Sequence, residues 1–195
     1  MEGGEEVTSE LLPHRKVANA YTAWVACLCI ITNAGKVIDS GIFSNWKTNL
    51  DNFEIELNLQ NKQHIAPIMK NLFTIVTGGC AIVTNEALQD VFGKMNQSIV
   101  KTKEIDSVTS LRAIIYQIRN AYSHGMIYPK WDMKPEYERE YRIQDSDLNL
   151  DLNISLKGLN GKDFSINHIH RWWGFNKLIS YALRQLEKIS TAPDS

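Results

Sequence analysis

Apolar residues recur at spacings of three and four along most of this chain, and that periodicity predicts helices. Val17, Tyr21, Trp24, Leu28 and Ile31 predict a helix over 11–37. It is apolar around much of its circumference, which predicts a central position. Ile65, Ile68, Leu72 and Ile75 share one side of a helix over 64–77, which Gly78-Gly79 is expected to end; a further helix over 80–95 follows. Ile105, Val108, Leu111, Ile115, Ile118 and Tyr122 form the stripe of a helix over 106–124, with Gly125 placed to stop it in a left-handed conformation. A last helix over 167–189 is expected to turn Ile169, Trp172, Phe175, Ile179, Ala182, Leu186 and Ile189 inward.

After Gly125 the period changes. Met126–Tyr128 and Tyr141–Ile143 read as short strands, and Leu148–Leu156 alternates polar and apolar residues without a break. Gly158-Leu159-Asn160-Gly161 reads as a hairpin turn, with a return through 162–165. The stretch 39–61 is ambiguous: it holds Trp46, and 53–57 alternates like a strand. Residues 96–103 read as a polar, basic loop, and 1–10 as a disordered arm. The expected fold class is mainly α: an antiparallel helical bundle with a small β-hairpin or β-meander insertion, about 126–165, before the last helix. One domain spans 11–190.

Composition changes little in this picture. The hydrophobic share of 44% and charged share of 22% suit a soluble globular chain with a sizeable core. A formal net charge of −1 excludes a global field that draws the protein onto nucleic acid, so any such contact must be local. The three cysteines, Cys27, Cys29 and Cys80, lack disulfide or zinc spacing and read as buried free thiols, which suits a reducing cytoplasm. The opening MEGGEEVTSE has no signal-peptide pattern. The apolar run 18–34 is too short and too polar to span a bilayer, so no membrane partner is expected.

The chemistry concentrates at the end of the helix over 106–124, in Arg119-Asn120-Ala121-Tyr122-Ser123-His124. Arginine grips a phosphate with a planar fork of donors, and histidine moves protons near neutral pH. On an ideal helix Asn120 and His124 are neighbours, whereas Arg119 and His124 stand about 140° apart. They converge only where the helix ends near His124, or where a second copy supplies the partner. A structural role is the alternative: Arg119 as a surface ion-pair residue and His124 as a helix C-cap interacting with the dipole.

Arg119-Asn120-x-x-x-His124 resembles the motif of the HEPN (higher eukaryote and prokaryote nucleotide-binding) superfamily, and Pro129-Lys130-Trp131 resembles a sequel in some prokaryotic members. The resemblance extends loosely over 11–189. It implies a compact helical bundle, usually dimeric, with the two motif helices meeting at the interface. It also implies metal-independent endoribonuclease activity in bacterial defence or toxin–antitoxin biology, with an antitoxin or defence-system protein as partner. Some members have lost activity and only bind RNA, nucleotide or a partner protein. Members paired with a small nucleotidyltransferase antitoxin often carry R-x4-H-x-Y; here that tyrosine position is Met126 and the nearest tyrosine is Tyr128, a departure from that pairing.

The expected catalytic set is therefore Arg119 as phosphate clamp, His124 as general base or acid, and Asn120 as the group that orients the histidine or the scissile phosphate. Arg112, Ser123, Tyr128, Lys130 and Trp131 are the expected RNA-binding residues, with Lys134 and Arg142 nearby. Tyr122 is expected in the core, and so is Trp131 on the alternative reading. One histidine does not easily act as acid and base in one step, so a homodimer with a composite site is expected. No cofactor or metal is expected. His168 and His170 point to different sides, His14 and His64 stand alone, and Asp106 with Glu104 suits the helix N-terminus.

Overall fold

The computed structural model describes residues 12–33, 47–50, 53–56 and 62–191. The expected disordered arm, Trp46 and most of 34–61 lie outside them. In order come α1 (Pro13–Thr32), β1 (Lys47–Leu50), β2 (Phe53–Glu56), α2 (Lys62–Phe92), a single turn α3 (Gln97–Val100), α4 (Ser107–Ser123), β3 (Glu140–Asp145), β4 (Leu150–Ser155) and α5 (Arg171–Ser190). The protein is mainly helical. β1 and β2 form one antiparallel pair, and β3 and β4 another.

The most buried of the long helices is α4. Leu111, Ala113, Ile114, Ile115, Ile118, Ala121 and Tyr122 are all buried, so it packs on more than the one stripe its sequence suggests. Asp106 caps its N-terminus by accepting from the Thr109 amide at 2.6 Å. The expectation that α1 is central is corrected: only Val17, Trp24 and Cys27 are buried in it, and Ile30 is exposed. Small, uncharged residues made that helix look apolar all round without supplying side chains that reach a core. Trp24 still ties three helices together. Its ring meets Phe73 of α2 and Phe175 of α5, and its indole N–H donates to Thr77.

Gly78-Gly79 does not end a helix. α2 runs through both as 31 continuous residues, merging the two helices expected there. Gly78 is needed for close approach: a Cβ on it would stand 2.4 Å from Cδ1 of Tyr122. The glycine lets the α4 aromatic ring lie against the α2 backbone. The Ala66–Phe92 stretch is long and apolar enough to cross a membrane by length and composition alone. Toward its C-terminus Cys80, Ala81, Ala87 and Leu88 are packed in the core, whereas Ile68, Leu72 and Ile75 are exposed.

The β3–β4 hairpin follows the alternation in the sequence. Tyr141 and Ile143 on one strand and Leu150, Leu152 and Ile154 on the other are buried, and β3 packs on α4. Its turn is built by Asp145, whose carboxylate accepts from the amides of Asp147 and Leu148, and by Asn149 at φ 46°. Two expected strands are absent. Met126–Tyr128 is irregular, and the 162–165 return does not pair with β4. It meets the 129–131 segment instead: Phe164 N–H donates to Pro129, Trp131 N–H to Lys162, and Gly161 N–H to Trp131. Pairing with β3 leaves Leu152 and Ile154 buried.

The last helix is broken at its start. A 3-10 turn over Ile166–Ile169 is followed by His170 and Arg171 in the left-handed region, at φ 61° and 63°. Gly174 makes that sharp join possible, because a Cβ there would overlap the Ile169 carbonyl at 1.8 Å. The break also turns Trp172 outward; it, Trp173 and Ile189 are exposed, against expectation for Trp172 and Ile189. Cys27 and Cys80 are buried free thiols, with burial pushing Cys80 up to about 12, but Cys29 is exposed.

Candidate functional site

α4 ends where the polar cluster begins to matter. Its last residue is Ser123, and His124 is the C-cap at φ −93°. Gly125 is not left-handed, so the expected glycine stop does not operate; the Gly125 amide simply closes onto the Tyr122 carbonyl at 3.3 Å. Because the helix stops here, one chain brings the cluster together. Arg119, Asn120, Ser123 and His124 all line a single cleft of about 770 Å³. The second copy required by an uninterrupted helix is not needed for Arg119 and His124 to share a cleft.

The opposite wall is the segment that follows. Pro129, Trp131 and Met133 are buried, and Lys130, Asp132 and Lys134 between them are exposed. This is the two-residue period of an extended chain. Anchored by Trp131 and Met133, it presents Asp132 to the motif: His124 Nε2 lies 2.8 Å from Asp132 Oδ2. In a neutral ring that donates Nε2–H to Asp132, the lone pair is on Nδ1. Sequence reasoning missed Asp132, although the alternation of apolar and charged residues over 129–134 carried the signal. Arg119 reaches its neighbour, Nη1 donating to Asn120 Oδ1 at 3.3 Å, and Ser123 Oγ donates to the Asn120 carbonyl at 2.7 Å.

The cleft also contains Gln117 and Tyr137, both buried, with Tyr116, Met95, Met133 and Asn96. Burial pushes the Tyr137 phenol up to about 12, with Tyr116 and Glu136 adding to it, so it stays protonated at neutral pH. Neither residue was expected in the site.

The expected RNA-binding residues separate. Ser123 lines the cleft. Tyr128 and Lys130 line a different cavity of about 580 Å³, with Lys70, Phe73, Tyr122 and Phe164. Lys130 stands 4.0 Å from Asp163. Arg112 is committed elsewhere: it donates to the Gly93 carbonyl at 2.8 Å and lies over the Phe92 ring, joining α4 to the end of α2. Trp131 offers no stacking face. It is 1% exposed, packs on Phe164 and His168, and donates to His168 Nδ1 at 2.9 Å. Of the outlying cations, Lys134 lines the cleft, and Arg142 is paired with Asp151 on the β3–β4 hairpin.

His168 is a structural acceptor, not a metal ligand. Burial, and then nearby Lys162, hold its pKa below the usual histidine value, which keeps Nδ1 free to accept from Trp131 and from the Ser165 amide. His170 contacts the Asn153 carbonyl. Among the described residues no group of three or more His, Cys, Asp or Glu is placed to hold a metal ion.

Comparison with known protein families, with characterised proteins and with solved structures finds no match for this chain.

Proposed function

We propose that this chain is a metal-independent endoribonuclease of the HEPN type, acting as a cytoplasmic homodimer in bacterial defence or toxin–antitoxin biology. The observation that carries the reading is one cleft shared by Arg119, Asn120, Ser123 and His124, with Asp132 hydrogen-bonded to the histidine. An arginine fork beside an oriented imidazole suits a phosphodiester under attack by its own 2′-hydroxyl.

In the proposed reaction His124 Nδ1 takes the 2′-hydroxyl proton while the Nε2 proton stays on the ring and is donated to the Asp132 carboxylate. The O2′–P bond forms and the P–O5′ bond breaks, giving a 2′,3′-cyclic phosphate and a 5′-hydroxyl end. Arg119 holds the non-bridging oxygens as negative charge builds on them. Asn120 steadies the Arg119 guanidinium. The departing O5′ needs a proton that this His124 does not hold at the start, and a second protomer's motif supplies it.

The test is cleavage of single-stranded RNA in EDTA, with product ends identified by mass spectrometry. Cleavage should survive chelation and leave cyclic phosphates. His124→Ala should lose activity by about 100- to 10,000-fold while keeping its fold and RNA affinity. Arg119→Lys should also fail, since lysine keeps the charge but not the fork. Normal cutting by both variants would end this reading. RNA binding with no cleavage would identify a catalytically silent module.

A further inference from the structure

Beneath the cleft lies a polar feature that the chemistry at His124 does not use. Gln117 is 1% exposed and Tyr137 2% exposed, and both line the cleft. Gln117 Oε1 and the Tyr137 hydroxyl have no hydrogen-bond partner. Proteins leave such buried atoms unpaired rarely, because each forfeits its hydration for nothing in return. Both atoms are sealed from solvent on residues that line one cleft, an acceptor and a donor that a guest reaches only once the side chains over them move. Gln117, Asn120 and His124 are three and four residues apart, so they share one face of α4. Tyr137 joins that face through Tyr116, with ring centroids 5.7 Å apart. The other buried apolar groups here are Met95 and Met133, whose flexible thioethers adapt to a guest more readily than branched side chains do.

We propose that Gln117 and Tyr137 form a base-reading subsite for the nucleotide beside the scissile phosphate. A base whose Watson–Crick edge sets an exocyclic amino group beside a bare ring nitrogen, as adenine and cytosine do and guanine with its N1–H does not, enters with Met95 and Met133 shifting to admit it. Its amino group donates to Gln117 Oε1, and the adjacent ring nitrogen accepts from the Tyr137 hydroxyl. Uracil has a carbonyl where the amino group would be, and sets an acceptor against Gln117 Oε1. This rests on reading the cleft as an RNA site, and it adds that the RNA is cut with base selection.

The experiment uses the His124→Ala protein, so that RNA stays intact, and fluorescence anisotropy with labelled oligouridine carrying one central adenosine, cytidine, uridine or purine riboside. Adenosine and cytidine should bind about tenfold or more tighter than uridine, because a site built around buried polar groups rejects a base that leaves them unpaired. Purine riboside, which is adenosine without its amino group, should lose that advantage. Adding Gln117→Leu or Tyr137→Phe should flatten the preference without weakening oligouridine. Both should melt at or above the parent temperature, since each deletes an unpartnered buried atom.

Equal binding of all four oligomers overturns the proposal, as does discrimination that survives Gln117→Leu. So does an absence of RNA binding. If either variant misfolds, the purine riboside comparison decides alone. Base-selective binding by a wild-type protein that never cleaves would sink the nuclease reading and leave the subsite standing. Cleavage without base preference would do the reverse.

Discussion

Replacing Gly78 by alanine should destabilise the protein, although the same change one residue later should stabilise it. Both glycines sit inside α2, where alanine is favoured by about 0.8–1.0 kcal/mol over glycine. They differ in what a methyl would meet. At Gly79 nothing lies within 4 Å, so the helical gain is realised. At Gly78 the new carbon would stand 2.4 Å from Tyr122 Cδ1 and 2.8 Å from both Cγ and Cε1. Those atoms belong to a rigid ring that is 3% exposed and backed by Phe164 at 5.2 Å, so it has little room to retreat. Overpacking of this kind costs about 1–3 kcal/mol, and three ring atoms inside 3 Å place it in the upper part of that range, so that net of the helical gain the loss is about 1–2 kcal/mol. For a chain of this size that is a fall in melting temperature of about 2–8 °C, against a rise of about 2–4 °C for Gly79→Ala. Thermal melts followed by circular dichroism compare the two directly. If Gly78→Ala melts as high as Gly79→Ala, Tyr122 does not lie on the α2 backbone as described, and the packing that holds the motif end of α4 is wrong. Tyr122 also stands two residues before His124, so a displaced ring should reduce cleavage as well.

Other predictions follow from single contacts. Asp132→Asn should lower kcat for RNA cleavage by about tenfold with KM little changed, less than loss of the histidine itself; an unchanged kcat would reduce Asp132 to a surface ion pair. Arg139 donates to the carbonyls of Val100, Thr102 and Lys103 at 2.7–2.9 Å, so Arg139→Ala should cost about 1–2 kcal/mol in urea unfolding; a neutral result would show that the loop after α3 is held by other contacts. His168 has a folded pKa below its ordinary value of 6.5, so its contribution is intact above about pH 6.5, where both states are neutral, and is lost as pH falls from there through the lower folded pKa, because the unfolded chain takes the proton first. Melting temperatures at pH 7.5 and 5.5 should therefore converge in His168→Gln, which still accepts from Trp131; an unaltered gap would place the acid sensitivity elsewhere.

The sequence by itself determined what depends on local rules. The period of Leu111, Ile115 and Ile118 and the cap at Asp106 define α4 to within a residue at each end, because helix formation and capping are set by neighbours along the chain. The alternation over Leu148–Leu156 marks β4 for the same reason, although its first two residues, Leu148 and Asn149, go to the turn. It also set the cluster from Arg119 to His124 at the end of a helix. Tertiary structure decided what depends on a partner distant in sequence. Gly78 reads as a breaker until Tyr122 is seen to need its missing side chain. Trp131 reads as a stacking platform until Phe164 and His168 enclose it. Ile68 and Leu72 keep a clean helical stripe that the fold leaves in solvent. Asp132 meets His124 only because the intervening chain doubles back and is pinned by the burial of Trp131 and Met133. The unpartnered atoms of Gln117 and Tyr137 have no signature in sequence, since satisfaction of a polar group is a property of everything packed around it.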